Sequence, residues 1–140
     1  MRLFKWSKAE ATFLDEIDAE HREIFRAAGE LHEAILAGVA APQVQEILKR
    51  LIAEFERHFR HEERLMRSVH YPIYDWHKRQ HDTVRKRLRQ FLPRIESGET
   101  GAAHLLLEFF AWWLKEHTRL TDCMMAAYVR NHERAMAVAS

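Results

Sequence analysis

The stretch that decides the fold reads His58-Phe59-Arg60-His61-Glu62-Glu63-Arg64-Leu65-Met66, breaks at His70-Tyr71-Pro72, and resumes as His77-Lys78-Arg79-Gln80-His81. Two pairs of metal-competent residues, His58/Glu62 and His77/His81, are each spaced four apart, which on a helix stacks both members on one face. Proline disfavours helix in the residue before it, so Tyr71-Pro72 marks a chain reversal between two helices. Folded antiparallel across that reversal, the two pairs face each other over a shared core. That juxtaposition is the beginning of a metal site.

Working outward, the same periodicity defines the rest of the chain. Before the decisive stretch, Ile17, His21, Ile24, Phe25, Ala28, Leu31 and Ile35 form a helical stripe that closes at Gly38, a common C-terminal stop. Pro42 opens the second helix at a first-turn position. Its stripe runs Val44, Ile47, Leu48, Leu51, Ile52, Phe55, His58, Phe59, Glu62, Leu65, Met66. The third carries Tyr74, His77, His81, Val84, Leu88 and Phe91, with a basic opposite face read as solvated. After Ser97-Gly98-Glu99, the fourth carries Leu106, Phe109, Phe110, Trp113, His117 and Leu120, and a helical tail over about 124–137 follows Asp122. Residues 1–16 lack a sustained helical period and read as an arm packing Leu3, Phe4, Trp6, Phe13 and Leu14 on the body; Phe109, Phe110 and Trp112 read as core or arm packing. The expectation is an all-α, antiparallel up-down four-helix bundle with an N-terminal arm and a short C-terminal helix. It forms one domain over 1–140, with arm 1–16, bundle 17–121 and helical tail 122–140.

Composition narrows the function. With 22 Lys plus Arg against 21 Asp plus Glu, the net charge is +1, so nothing calls for nucleic acid or an anionic membrane. One cysteine, Cys123, rules out an internal disulfide and fits a reducing compartment. The N-terminus has no apolar run of signal-peptide length, and the most apolar stretch, 105–114, is too short to span a bilayer. These features lead to the expectation of a cytoplasmic protein without membrane insertion. Ten histidines are more than a structural role needs.

The polar residues on buried stripes are His21, His58, Glu62, His77, His81 and His117. A buried glutamate is costly unless paired or bound to metal. Asp122, five residues after His117, would point ~140° off that face of a regular α-helix, so the helix is expected to bulge or end near 118–121. Five imidazoles and two carboxylates suit two iron ions. If both carboxylates and a solvent oxygen bridge, about one of roughly twelve octahedral positions stays open. Ferritin-like diiron oxidases use carboxylate-rich sets with Glu-x-x-His pairs, and no such pair lies on these stripes. HExxH is absent as well, because position 65 is leucine.

With an isolated histidine on the first helix (His21), then HxxxE (58–62), HxxxH (77–81) and HxxxxD (117–122), the chain resembles the hemerythrins, specifically the bacterial single-domain kind. Flanking Phe59, Glu63, Met66, Tyr71-Pro72 and Trp113-Leu114 match too. The resemblance implies a non-haem diiron centre bridged by Glu62, Asp122 and an oxo or hydroxo group. His77, His81 and His117 would hold the six-coordinate iron. His21 and His58 would hold the five-coordinate iron where dioxygen binds, beneath a pocket of Ile24, Phe59, Trp113 and Leu114. It implies reversible dioxygen binding for carriage, storage or delivery, with no catalytic acid or base and no enzymatic activity. The alternatives are a sensor of oxygen, nitric oxide or redox state, an enzyme such as a peroxidase or nitric-oxide reductase, and iron storage; the protein partner is unknown. Cys123 departs from the lysine often found there. His32, His61, His70, His104 and His132 read as surface or accessory residues.

Overall fold

The computed structural model describes residues 4–139, leaving Leu3 outside. A short 3-10 turn, Lys8–Glu10, precedes α1 (Asp15–Leu36), α2 (Ala41–Ser68), α3 (Tyr74–Glu96) and α4 (Ala102–Glu116); a π turn, His117–Asp122, leads without interruption into α5 (Cys123–Ala139). Short links at 37–40, 69–73 and 97–101 make consecutive helices antiparallel neighbours, and α4 packs back against α1, closing a four-helix bundle. Among the described residues no helix is long and apolar enough to cross a membrane.

The stops are local chemistry. At the end of α1, Gly38 takes the left-handed conformation (φ 69°) while its N–H donates to Ile35 O and that of Val39 to Ala34 O, the paired bonds of a Schellman cap. At the end of α2 the same cap is built on His70 (φ 53°), with Tyr71 N–H donating to Met66 O at 2.9 Å. Histidine is one of the non-glycine residues that enters this region more readily than most.

Most residues of the expected stripes are buried or half-buried, and they pack into two clusters. The larger runs from Ile24 and Phe25 through Leu48, Phe55, Val84, Leu106 and Phe110. The smaller comprises Met66, Val69, Tyr71, Met125 and Val129.

Several residues depart from expectation. Helix α1 starts at Asp15 rather than Ile17. In the arm, Phe4 is buried and Trp6 lies half-buried under the Arg22 guanidinium at 4.3 Å, but Phe13 is 74 % exposed. Phe13 sits at a left-handed bend (φ 62°), fixed because its N–H and that of Thr12 both donate to the Asp18 carboxylate, which also accepts from Thr12 Oγ1 at 2.7 Å. Its ring turns outward, where Arg130 lies over it. Trp112 is 64 % exposed, because Phe110 and Trp113 take the core-facing positions of α4. Leu120 is exposed because the π turn widens the helix and rotates Thr121 and Asp122 inward in its place. The basic face of α3 is not wholly solvated. Arg85 is largely covered, donating to Glu56, Glu63 and Asp82 and lying over the Phe59 ring at 5.3 Å.

Asp18 is the buried group that ties the arm to α1. Replacing it with alanine strands two backbone donors and is expected to lower stability by about 2 kcal/mol. Urea denaturation of the variant beside the parent chain measures this, and an unchanged midpoint would remove Asp18 as the arm's anchor.

Candidate metal centre

Each helix of the bundle delivers part of one polar layer between the two apolar clusters. Helix α1 brings His21, α2 brings His58 and Glu62, α3 brings His77 and His81, and the π turn brings His117 and Asp122; all seven side chains are buried. The π turn does what the HxxxxD spacing requires, since an i→i+5 repeat sets residues five apart on nearly the same face. The arm braces this turn: Glu10, itself buried and capped by Ser7, pairs with Arg119 at 2.8 Å, and the Cys123 thiol lies 3.4 Å from the carbonyls of Ala11 and Thr118.

The layer divides into two donor sets that share both carboxylates. Glu62, His77, His81, His117 and Asp122 form one; His21, His58, Glu62 and Asp122 form the other. The sharing is resolved atom by atom. Glu62 turns Oε1 toward His81 (3.0 Å) and His77 (3.4 Å), and Oε2 toward His58 (3.2 Å) and His21 (3.6 Å). Asp122 turns Oδ1 toward His117 (2.9 Å) and His77 (3.1 Å), and Oδ2 toward His21 (3.0 Å). His21 and His58 bring their Nε2 atoms to 3.0 Å from each other. Adjacent corners of an octahedron with bonds of about 2.1 Å stand roughly 3 Å apart, so most of these spacings suit six-coordinate cations.

Other observations also favour cations here. Glu62 Oε2, both Asp122 oxygens and the Nε2 atoms of His77 and His117 are buried with no hydrogen-bond partner among the described residues. Native interiors rarely leave such groups unmatched. Burial opposes ionisation of Glu62, yet the imidazoles around it hold its pKa well below the usual carboxylate value. Burial and the Glu62 charge likewise oppose ionisation of Asp122, but His117 and His21 hold its pKa well down. Among the imidazoles, burial works against charge on His58, but Glu62 and Glu20 outweigh it and lift the pKa to about 10; Asp122 and Glu62 overcome burial at His77 and lift it to about 9. At His117 burial prevails and pushes the pKa down to about 4. The layer attracts positive charge.

Three imidazoles are oriented from behind. His58 Nδ1 lies 2.5 Å from Glu20, His81 Nδ1 2.8 Å from Glu63, and His117 Nδ1 2.8 Å from the Gln80 side-chain oxygen. With Nδ1 donating, the Nε2 lone pair is free for a cation. Glu63 is fixed in turn by Arg85 and Gln80 by Thr121; Glu20 also bonds His61, which stays partly exposed. The sequence reading passed over Glu20 and Gln80, noted Glu63 only as a flank and placed Arg85 on the solvated basic face of the third helix. The available signal was that Glu20, Glu63 and Gln80 each adjoin a layer residue in sequence.

Of the expected oxygen pocket, Ile24, Phe59, Trp113 and Leu114 are all buried in the larger cluster. Phe59 stacks on His81 at 4.1 Å and Trp113 on His117 at 4.2 Å, so both rings lie against the three-imidazole set. The Phe59 ring stands farther from His58, at 6.2 Å.

A helical bundle with a layer of histidines and carboxylates arranged for cations defines a metal-binding protein. Residues 12–129 match the Hemerythrin HHE cation binding domain, and the chain belongs to that family. It is 30% identical over 112 residues to the bacteriohemerythrin of Aquifex aeolicus (79% of this chain, 85% of the relative) and 30% identical over 132 residues to that of Stenotrophomonas maltophilia (94% and 85%). The myohemerythrin of Theromyzon tessulatum is 24% identical over 119 residues (85% and 88%). No solved structure matches the chain.

Substitution separates the layer from its surroundings. His77→Ala and Glu62→Ala are expected to lose most bound iron, Glu20→Ala to weaken metal affinity roughly 10–100-fold, and His132→Ala, a half-buried residue outside the layer, to leave it unchanged. Iron per folded chain, counted after gel filtration, checks the order; equal content in all four would refute the assignment.

Proposed function

We propose that the chain binds dioxygen reversibly at a pair of iron ions. The carrying observation is the uneven division of the layer: three imidazoles on one side, two on the other, and both carboxylates shared. In this reading His77, His81 and His117 would hold one iron, His21 and His58 would hold the other, and Glu62 and Asp122 would be shared between them. The side with fewer imidazoles keeps the open position. Two ferrous ions, when bound, would supply that position and the electrons for reversible dioxygen binding.

The remaining work belongs to the protein. Glu20, Glu63 and Gln80 keep three imidazoles in the tautomer that presents Nε2. Ile24, Phe59, Trp113 and Leu114 form an apolar wall that keeps bulk water from the layer, which favours release of dioxygen over its reduction. This reading needs no catalytic acid or base. The bacteriohemerythrin and myohemerythrin names of the relatives agree with it.

Anaerobic reduction followed by repeated addition and removal of oxygen tests it. About two irons per chain and a visible band that appears and fades over several cycles are expected; a single irreversible change would refute reversible binding. Replacing Trp113 with leucine is expected to speed loss of the oxygenated band severalfold, and unchanged decay would show that Trp113 does not guard the site.

Loading also has a pH signature. His58 and His77, lifted to about 10 and 9, carry protons at neutral pH in the iron-free chain. A cation must displace those protons. Iron loading is expected to release protons and to tighten as pH rises, read with an indicator dye in weak buffer. Loading without proton release would contradict the charge assignment.

A further inference from the structure

Beside the metal layer, on the α3–α4 face, lies a cleft of about 310 Å³ whose wall includes Trp76, Gln80, Trp112, Trp113, Glu116 and His117. Its size is at the lower end for small-molecule sites, roughly 300–1,000 Å³. Three of the chain's four tryptophans line it. Trp112 and Leu120, both strongly exposed, contribute apolar surface that the fold leaves uncovered.

Two features say what fits there. Indole faces favour a flat unsaturated ring, by offset stacking. Gln80 gives its side-chain oxygen to His117 and Thr121 and has no partner for its amide N–H groups among the described residues, which leaves donors for a ring carbonyl. The charge of the lining narrows the class further: it holds the Glu116 carboxylate and no lysine or arginine, so a phosphate-bearing ring such as a flavin nucleotide meets repulsion and a neutral ring does not. The cleft also reaches a proposed iron ligand directly, since His117 is part of its wall and Trp113 stacks on that imidazole at 4.2 Å.

We propose that this cleft binds a neutral quinone-class ring, and that its reduced form, the hydroquinone, returns oxidised iron to the ferrous state through His117. The proposal rests on the two-iron reading. The electrons balance: one hydroquinone becomes a quinone, losing two electrons and two protons. The electrons reduce two iron(III) ions to iron(II), and the protons pass to solvent at the open mouth of the cleft. A two-electron donor thus matches a two-iron acceptor.

Menadione, a soluble naphthoquinone, serves as the probe, with equilibrium dialysis against the iron-loaded chain as the readout. Saturable binding at one site is expected, at least about tenfold weaker in Trp112→Ala, weaker in Trp76→Ala, and tighter than binding of FMN. In anaerobic mixing, reduction of the oxidised protein by menadiol is expected to saturate with menadiol in the parent chain and to rise linearly in Trp112→Ala. That variant should keep its iron and its oxygen cycle. Absence of saturable binding, equal binding by parent and both variants, or preference for FMN would overturn the proposal. Iron content and oxygen cycling are read on the same samples. A chain that cycles oxygen without binding menadione overturns this inference alone, and a chain without iron overturns the reading beneath it as well.

Discussion

Two carboxylates, Glu62 and Asp122, are held ionised where water does not reach, and everything else in the molecule answers to that constraint. Taking a charge out of water costs several kcal/mol even after relaxation. Among the described residues no lysine or arginine pairs with either group; Arg85 of α3 pairs with Glu56, Glu63 and Asp82. Among the described residues their neighbours of possible positive charge are five imidazoles, whose nitrogens face the carboxylate oxygens at 2.9–3.6 Å. Imidazoles offer protons when no metal is bound and lone pairs when one is. The layer is therefore a site where protons and cations compete for the same atoms.

The geometry that resolves this competition is assembled from features that look minor individually. A single wide turn in the last helix of the bundle brings Asp122 inward, and the arm secures that turn through Glu10 and Arg119. The brace begins at the other end of the chain, so the arm contributes to the site without donating an atom to it.

Much of this was legible in the sequence. Apolar residues at steps of three and four gave the helices, and polar residues in register with them gave the layer, because burying a histidine or glutamate on such a stripe requires a reason. Even the wide turn was foreshadowed, since Asp122 five residues after His117 cannot share its face in a regular helix. The orienting shell was not legible, for a geometric reason. Glu20 adjoins His21 but orients His58, Glu63 adjoins Glu62 but orients His81, and Gln80 adjoins His81 but orients His117. Each reaches across to a neighbouring helix, and inter-helix pairing has no period along the chain. Phe13, Leu120 and Trp112 misled for a related reason: hydrophobicity implied burial, whereas a left-handed bend, a phase shift and competition from Phe110 and Trp113 set their exposure.

The division of the interior into two apolar clusters bears on how the molecule comes apart. The larger cluster joins all four helices of the bundle, while the smaller unites the end of α2 and the loop after it with α5. Between them lies a layer whose members repel or attract according to what they bind. The interior is thus held in two parts, with the polar layer as the seam between them. A cation in the layer fastens α1, α2, α3 and the π turn at one point, so both parts must open together.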